Sequence, residues 1–172
     1  TYWAGDLETY EAVAKRFLDL IDDMDRLLAT REEFLLGKWI SDAKKWASSE
    51  DEKILYEMNA RDLVTVWGRR DCPEISDYSC RHWNGLMSSY YKERWARFFK
   101  MTAEALREGK PWDQKSFYEY IRQWGWSWVN DVENTYIVEP VGDPVAVSKE
   151  MYAKYYDVIS RSDVRKQHRN EL

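Results

Sequence analysis

The sequence predicts an all-α protein: an antiparallel bundle of about six helices, built as a single domain over residues 1–172. Apolar residues recur at helical spacing along most of the chain, which is the primary signal for amphipathic helices. Only 7 Gly and 4 Pro are available to turn the chain, which favours a few long elements over many short strands. At 172 residues the chain is long enough to bury a hydrophobic core without the help of disulfides or bound metals.

The first two helices are predicted from apolar stripes and a capping signal. Helix one covers about residues 6–29, with Asp22, Asp23 and Asp25 on its wet face. Residues 30–33 (Thr-Arg-Glu-Glu) have the form of a capping box, so a second helix is expected to begin there. The two stripes consist of Tyr10, Val13, Phe17, Ile21, Met24 and Leu28, and then of Leu35, Leu36, Trp39, Ile40, Ala43 and Trp46.

A second capping box, residues 49–52 (Ser-Glu-Asp-Glu), predicts the start of helix three. Residues 68–77, which begin with a glycine suited to ending a helix, form the next loop. Ser76 or Asp77 then caps a long helix four that reaches about Glu108. The stripes consist of Tyr56, Ala60, Leu63, Val64 and Trp67 in helix three, and of Trp83, Met87, Tyr90, Arg94, Phe98, Met101 and Ala105 in helix four.

Helices five and six complete the predicted bundle. Asp113 caps helix five, and Gly125, which lies between two tryptophans within it, would let another backbone come close. Residues 134–142 are a connection, after which Asp143 and Pro144 supply a cap and a first helical residue. The polar tail beyond helix six is expected to fray. The stripes consist of Phe117, Tyr120, Ile121, Trp124 and Trp128, and then of Val147, Met151, Tyr155 and Ile159.

Charge and hydropathy argue against two classes of partner. The formal net charge is −5, whereas a protein that binds phosphate backbones needs a cationic face, so no nucleic-acid partner is expected. No apolar run approaches the roughly 20 residues of a membrane helix, so no membrane partner is expected. The chain begins at Thr1 rather than Met and shows no signal peptide, so we expect a fragment of something longer.

The residue types that carry chemistry form no complete site, and no catalytic residue is assigned. The 31 Asp and Glu residues lie almost entirely on predicted polar faces, and neither an activated nucleophile nor a Gly-rich phosphate loop is present. Cys72 and Cys80 bracket a short segment, where free thiols and one local disulfide are equally consistent with the sequence. His82 and His168 are the only histidines, so neither a metal site nor a cofactor is expected.

The aromatic content is the unusual feature, because 10 Trp, 12 Tyr and 5 Phe make up 16 % of the chain. Aromatic rings pack helices well, which is the structural interpretation. Ten tryptophans are more than one small core usually takes, so some could face a sugar or a partner protein. Trp67 ends helix three beside a loop, and Tyr78 begins helix four across that loop. A binding role and a structural role are both open for this corner.

Three sequence blocks occur together in the middle of the chain. They are Leu-Leu-Ala-Thr-Arg-Glu-Glu-Phe-Leu-Leu-Gly-Lys-Trp at 27–39, Tyr-Glu-Met-Asn-Ala-Arg-Asp-Leu-Val-Thr-Val-Trp-Gly at 56–68, and the short motifs Asp-Tyr, Trp-Asn-Gly-Leu, Tyr-Tyr and Arg-Trp at 77–78, 83–86, 90–91 and 94–95. Their order and spacing resemble the C-terminal helical domain of α-N-acetylglucosaminidases, glycoside hydrolase family 89. The resemblance extends over nearly the whole chain.

The resemblance implies that the chain is the C-terminal part of a larger glycoside hydrolase, which removes terminal α-linked N-acetylglucosamine with retention of configuration. Both catalytic glutamates of such enzymes belong to a TIM-like barrel, so the isolated domain is expected to be inactive. The implied partners are that barrel, in the same polypeptide, and a glycan that ends in N-acetylglucosamine. The implied location is secreted or periplasmic in a bacterium and lysosomal in an animal.

Three residues are placed at the sugar by the same resemblance. The family's tryptophan before a glycine matches Trp67, and its isoleucine and tyrosine at the start of the next helix match Ile75 and Tyr78. These would contact the sugar or its acetamido group. Residues 69–73 depart from the family's shorter turn, which bears on the Ile75 contact. Without the barrel, an apolar patch near Trp67 would be exposed, and self-association of the isolated chain would fit.

The alternative is a free-standing helical module that binds carbohydrate or another protein. Binding of N-acetylglucosamine by the isolated chain, lost on Trp67→Ala, would favour the carbohydrate form of this alternative. Complete burial of Trp67 and Tyr78 in the core would favour the protein-interaction form.

Overall fold

A computed structural model describes residues 2–67 and 79–160 of the chain. These residues form six α-helices, short 3-10 turns at Tyr2–Ala4 and Glu32–Phe34, and a π-helix at Met87–Tyr91 that continues into the fourth α-helix. The all-α prediction is confirmed. The α-helices are α1 (Leu7–Leu28), α2 (Leu36–Lys44), α3 (Glu50–Leu63), α4 (Lys92–Arg107), α5 (Gln114–Asn130) and α6 (Pro144–Ser160).

Neighbouring helices run antiparallel, as predicted. The first helix, α1, lies between α4 and the π-helix on one side and α6 on another, while α3 packs between α2 and α5. Early residues of one helix meet late residues of its neighbour in each pair. The contacts that show this are Glu11 with Arg107 and Asp22 with Lys92 (α1 and α4), Asp23 with Lys154 and Arg26 with Glu150 (α1 and α6), and Lys44 with Glu57 and Trp39 with Ala60 (α2 and α3).

The predicted helix caps at Ser49, Asp113 and Asp143 are confirmed, because each depends on chemistry within three residues, and Asp6 caps α1 in the same way. The side chains of Asp6, Ser49, Asp113 and Asp143 accept hydrogen bonds from backbone N–H groups two or three residues later, at 2.7–3.2 Å. Such bonds satisfy donors that the first turn of a helix leaves without partners. The predicted cap at Ser76 or Asp77 and the predicted helix end at Gly68 lie outside the described residues.

The predicted capping box at Thr30 is wrong. The Thr30 hydroxyl donates to the carbonyl of Leu27 at 2.7 Å, so it closes α1 instead of opening α2. A 3-10 turn follows, and α2 begins only at Leu36. The local motif was misleading because the same hydroxyl can cap the helix behind it, and Ser and Thr side chains commonly bond to nearby carbonyls.

Helix four also begins later than predicted, since residues 79–85 are not helical. Asn84 instead pairs with the chain before α2: its N–H donates to Phe34 O at 2.8 Å, and Leu36 N–H donates to Asn84 O at 3.1 Å. Asp25 caps the turn that follows. It accepts hydrogen bonds from the backbone N–H groups of Gly85 at 2.7 Å and Ser88 at 3.1 Å. Its assignment to the wet face of helix one is therefore wrong.

The connection between α5 and α6 crosses α2 at Gly37. A Cβ atom at Gly37 would lie 2.2 Å from the carbonyl oxygen of Ile137, so only glycine fits there. At Gly125 the sequence predicts a close backbone, but the nearest neighbours are side chains. A Cβ atom there would lie 3.3 Å from the Tyr90 hydroxyl oxygen and 3.5 Å from a Val66 methyl. Gly125 therefore makes room for side chains.

The core gathers side chains from α1, α2, α3, the π-helix and α5. Its buried members are Ile21, Leu36, Ile40, Ala60, Val64, Val66, Leu86, Met87, Tyr90, Tyr91, Trp128 and Val129. Most of the aromatic excess packs here or in the adjoining cluster of rings around Trp95, Phe98 and Phe99. Among the helices of the described ranges, none is both long and apolar enough to cross a membrane.

Candidate binding corner at the end of α3

Trp67 lies just beyond α3 and is half-buried. Its φ is +53°, a left-handed conformation that bulky residues rarely adopt. Its N–H donates to the carbonyl oxygen of Asp62 at 2.8 Å, which folds the chain back over the last turn of the helix. A strained conformation of this kind persists only where the surrounding structure holds it, and it is typical of functional sites.

The residues just before Trp67 anchor this turn in the core. Thr65 is fully buried, and its hydroxyl donates to the carbonyl of Arg61 at 2.7 Å. Val64 and Val66 are buried on either side of it, and Val66 packs against Gly125. The position of Trp67 is therefore determined by the last turn of α3.

That last turn is held by a buried ion pair that the sequence did not lead us to expect. Arg61 is 0 % exposed, and its Nε and Nη2 groups donate to Glu57 Oε1 at 3.1 and 2.7 Å. Lys44 from α2 donates to the other oxygen of the same carboxylate at 2.6 Å. The predicted stripe of helix three is thus partly wrong: its buried face holds Glu57 and Arg61, while Leu63 is 44 % exposed.

Arg61 also joins α3 to the end of α5 and to the connection beyond it. Nη2 donates to the carbonyl of Asn134 at 2.9 Å, and Nη1 donates to the Trp128 carbonyl and the Tyr136 hydroxyl at 3.4 Å each. The guanidinium carbon lies 5.0 Å from the Trp128 ring centroid and 5.2 Å from that of Tyr136. A buried cation that is paired, hydrogen-bonded and enclosed by rings avoids the cost of an unpaired charge.

A second polar cluster lies at the start of the π-helix. The Ser89 hydroxyl oxygen accepts a hydrogen bond from Trp128 Nε1 at 3.2 Å and lies 3.1 Å from the Tyr136 hydroxyl. It also bonds to the Gly85 carbonyl at 2.5 Å. Tyr136 therefore touches both clusters: the one that holds the end of α3 and the one that holds the turn capped by Asp25.

Comparison with known proteins identifies the family. The model of the alpha-N-acetylglucosaminidase (NAGLU) C-terminal domain family matches residues 1–154. The chain belongs to this family. Human alpha-N-acetylglucosaminidase is 34 % identical over 140 residues, which are 80 % of this chain and 18 % of the human protein. The resemblance drawn from the sequence blocks is therefore confirmed at the level of the family.

Two solved structures of a family 89 glycoside hydrolase from Clostridium perfringens share the fold. The complex with 2-acetamido-1,2-dideoxynojirmycin is 32 % identical with a TM-score of 0.77, and the match covers 90 % of this chain and 18 % of that one. The complex with PUGNAc is 34 % identical with a TM-score of 0.74, and the match covers 86 % and 17 %. The chain thus spans less than a fifth of the length of these relatives.

Of the three predicted sugar-binding residues, the structure describes Trp67 alone, and it is not in the fully buried core. Ile75 and Tyr78 lie outside the described residues, as does Cys72, while Cys80 is an exposed free thiol. Helix α3, which precedes Trp67, also carries apolar side chains that face solvent. Ile54 is 53 % exposed and Leu55 is 47 % exposed.

Sequence reasoning missed the residues that hold this corner. Glu57 and Arg61 are spaced by four on the same face as Ala60 and Val64, and charges that interrupt an apolar face are a usable signal for a buried pair. No comparable signal marks Tyr136 or Asp25. In the two described ranges, no group of three His, Cys, Asp or Glu side chains is placed to hold a metal ion.

Proposed function

We propose that this chain is the C-terminal domain of a retaining exo-α-N-acetylglucosaminidase, in which it packs on a catalytic barrel and completes one wall of the sugar pocket. The observation that carries the proposal is Trp67: a half-buried indole in a left-handed conformation at a helix end, in a family whose members are α-N-acetylglucosaminidases. A terminal α-linked N-acetylglucosamine is the proposed substrate group.

The division of labour follows from the chemistry of retention. A retaining glycosidase needs two carboxyl groups about 5 Å apart across the anomeric carbon. Rigid strand ends of a barrel supply such a pair better than a helical surface does. The helical domain supplies an aromatic wall, which orients the sugar and excludes water from the reaction. Trp67, Ile75 and Tyr78 are the proposed wall residues.

Two further observations support this proposal. The chain covers 18 % of the human relative, which leaves ample length for a separate catalytic domain in an enzyme of that size. The Clostridium perfringens relative was solved with 2-acetamido-1,2-dideoxynojirmycin, a compound that carries the acetamido group of the proposed substrate.

The first test is turnover of an aryl α-N-acetylglucosaminide. The isolated chain is expected to show none, because the catalytic pair is supplied by another domain. Robust turnover by the isolated chain would overturn the proposal. Binding of free N-acetylglucosamine by the isolated chain, lost on Trp67→Ala, would favour the free-standing carbohydrate module.

The second test uses the full-length enzyme that contains this domain. Trp67→Ala should lower kcat/KM roughly tenfold, the effect of losing one aromatic contact to the substrate. Trp46→Ala is the matched control, because Trp46 is 85 % exposed at the turn between α2 and α3. Equal kinetics for the two variants would contradict a sugar-binding role for Trp67.

A further inference from the structure

We infer that Tyr136 is a positioning residue for Trp67, an inference that rests on the function proposed above. Tyr136 lies on the connection between α5 and α6, well away from Trp67 in sequence. Its hydroxyl links the Arg61 cluster that holds the end of α3 to the Ser89 cluster at the start of the π-helix. The indole that faces the sugar is thereby fixed relative to the turn capped by Asp25.

The direction of each hydrogen bond in this link follows from the groups present. Arg61 can only donate, so the Tyr136 oxygen accepts from it. The single hydroxyl hydrogen of Ser89 is used on the Gly85 carbonyl at 2.5 Å, so Tyr136 must donate to Ser89. The chain of donors therefore runs from Arg61 through Tyr136 and Ser89 to Gly85. Each member has a partner on both sides, which favours a single arrangement.

The ring of Tyr136 fixes the same turn by contact. Gly85 has a φ of +82°, and a Cβ atom there would lie 2.7 Å from Cδ1 of Tyr136. The backbone of Tyr136 is fixed in turn where its connection crosses Gly37. The hydroxyl is consequently held at a defined point between the two clusters.

The link reaches Trp67 through two backbone carbonyls. Arg61 O accepts the Thr65 hydroxyl, and Asp62 O accepts the Trp67 N–H. Because both bonds lie within the last turn of α3, a rotation of α3 about the Arg61 position carries that turn and its indole with it. Since Trp67 sits in a strained conformation, the contacts beneath it must supply the free energy that keeps it there.

Tyr136→Phe is the variant that tests this inference, because it removes the hydroxyl and keeps the ring. Tyr155→Phe is its matched control: it removes a hydroxyl that donates to Asp23, in the contact between α6 and α1. Both variants are made in this chain labelled with 5-fluorotryptophan. Trp67→Phe identifies the Trp67 signal in the ¹⁹F NMR spectrum, and Trp46 serves as an internal reference.

The Trp67 signal should shift or broaden in Tyr136→Phe and stay unchanged in Tyr155→Phe, while Trp46 is unchanged in both. In the full-length enzyme, Tyr136→Phe should raise KM about 3- to 10-fold, the effect of one hydrogen bond, with a smaller change in kcat. A Trp67 signal that is the same in Tyr136→Phe and in the parent chain would overturn the inference.

The failure of the inference is distinguishable from the failure of the proposed function. If Trp67→Ala leaves KM of the full-length enzyme unchanged, the proposed sugar contact is wrong. The positioning role of Tyr136 toward the sugar is then wrong as well. If Trp67→Ala raises KM and Tyr136→Phe does not, the sugar contact stands and the positioning role alone is overturned.

Discussion

Two arginine–glutamate pairs hold this domain together in different ways. Arg61 and Glu57 lie in the core, with side chains 0 % and 4 % exposed, and they join α3 to α5 and the connection beyond it. Arg26 and Glu150 lie at the surface, 50 % and 53 % exposed, and they join α1 to α6. The surface pair has the better fork geometry, with two separate N–H groups on two oxygens, whereas both Arg61 groups bond to one oxygen.

Geometry therefore does not decide which pair matters more. Water competes with the two side chains of the surface pair for hydrogen bonds. When one of these side chains is removed, water therefore satisfies the polar groups of the other. Water has no access to the buried arginine, and the removal of Arg61 leaves the Glu57 carboxylate with Lys44 alone and the Asn134 carbonyl without its Arg61 donor. The next four predictions test this difference, from the largest expected effect to the smallest.

Arg61→Ala should give the largest loss of stability. We expect the free energy of unfolding, measured by urea denaturation, to fall by about 3–5 kcal/mol, because a buried carboxylate is left without its main partner. The near-UV circular dichroism of Trp128 and Tyr136 should weaken as well, since both rings pack on the guanidinium. A loss below about 1 kcal/mol would mean that the buried pair behaves like a surface pair.

Gly37→Ala tests the buried contacts that support Tyr136 without changing a charged residue. The new Cβ would lie 2.2 Å from the carbonyl oxygen of Ile137, so the connection that carries Tyr136 must move, at a cost of about 3 kcal/mol. Gly109→Ala is the control, because its φ is +64° and no atom lies within 4 Å of its Cβ position. It should cost about 1 kcal/mol for conformation alone. Equal losses in the two variants would contradict the crossing at Gly37.

Acid should loosen α6 from α1. Burial alone would raise the pKa of Asp23, but hydrogen bonds from Lys154 and Tyr155 outweigh it and hold the pKa below its ordinary value. The hydrogen bond from Arg26 likewise lowers the pKa of Glu150. Groups with a lowered folded pKa stabilise the fold above the ordinary carboxyl pKa of about 4, and this contribution is lost as the pH falls through the folded value.

The methyl NMR signal of Met151, which is buried on α6, reports this loosening. It should move as the pH falls below the ordinary carboxyl pKa of about 4, because the two carboxylates then become protonated. In the double variant Asp23→Asn, Glu150→Gln, the signal should be independent of pH over the same range. A Met151 signal that stays constant to pH 2.5 in the parent chain would show that the ion pairs do not hold α6.

Arg26→Ala should have the smallest effect. Its pair with Glu150 is half exposed on both sides, so water replaces the lost partner. We expect Tm to fall by no more than about 2 °C in differential scanning calorimetry. A fall comparable with that of Arg61→Ala would remove the distinction between the two pairs.

The parts of the fold that sequence predicts are those with local causes. Ser49, Asp113 and Asp143 are predicted as caps, and their bonds reach only two or three residues along the chain. Apolar periodicity likewise found all six helices. Thr30 shows the limit of local signals. Its hydroxyl can accept a hydrogen bond from an N–H of the following helix or donate one to a carbonyl of the preceding helix, and the structure has the second bond, to Leu27.

The candidate corner was only half predictable for the same reason. Trp67 is a candidate because of its place at a helix end and because of the family resemblance, whereas its support comes from residues distant in sequence. Arg61 bonds to groups 67, 73 and 75 residues later, and Asp25 bonds to groups 59–63 residues later. Periodicity within one helix carries no information about such partners. It assigned Asp25 to solvent, and it left Arg61 off the buried stripe.

The sequence distance between Arg61 and its partners has a consequence for the order of folding. The hairpin of α2 and α3 is a local unit and forms quickly, but contacts that span 67 to 75 residues form slowly, because a long loop must close first. During synthesis, Arg61 leaves the ribosome well before Trp128, Asn134 and Tyr136 exist. The Trp67 corner is therefore assembled after the hairpin, and a chain interrupted before the end of α5 would carry a folded hairpin without the contacts that support Trp67.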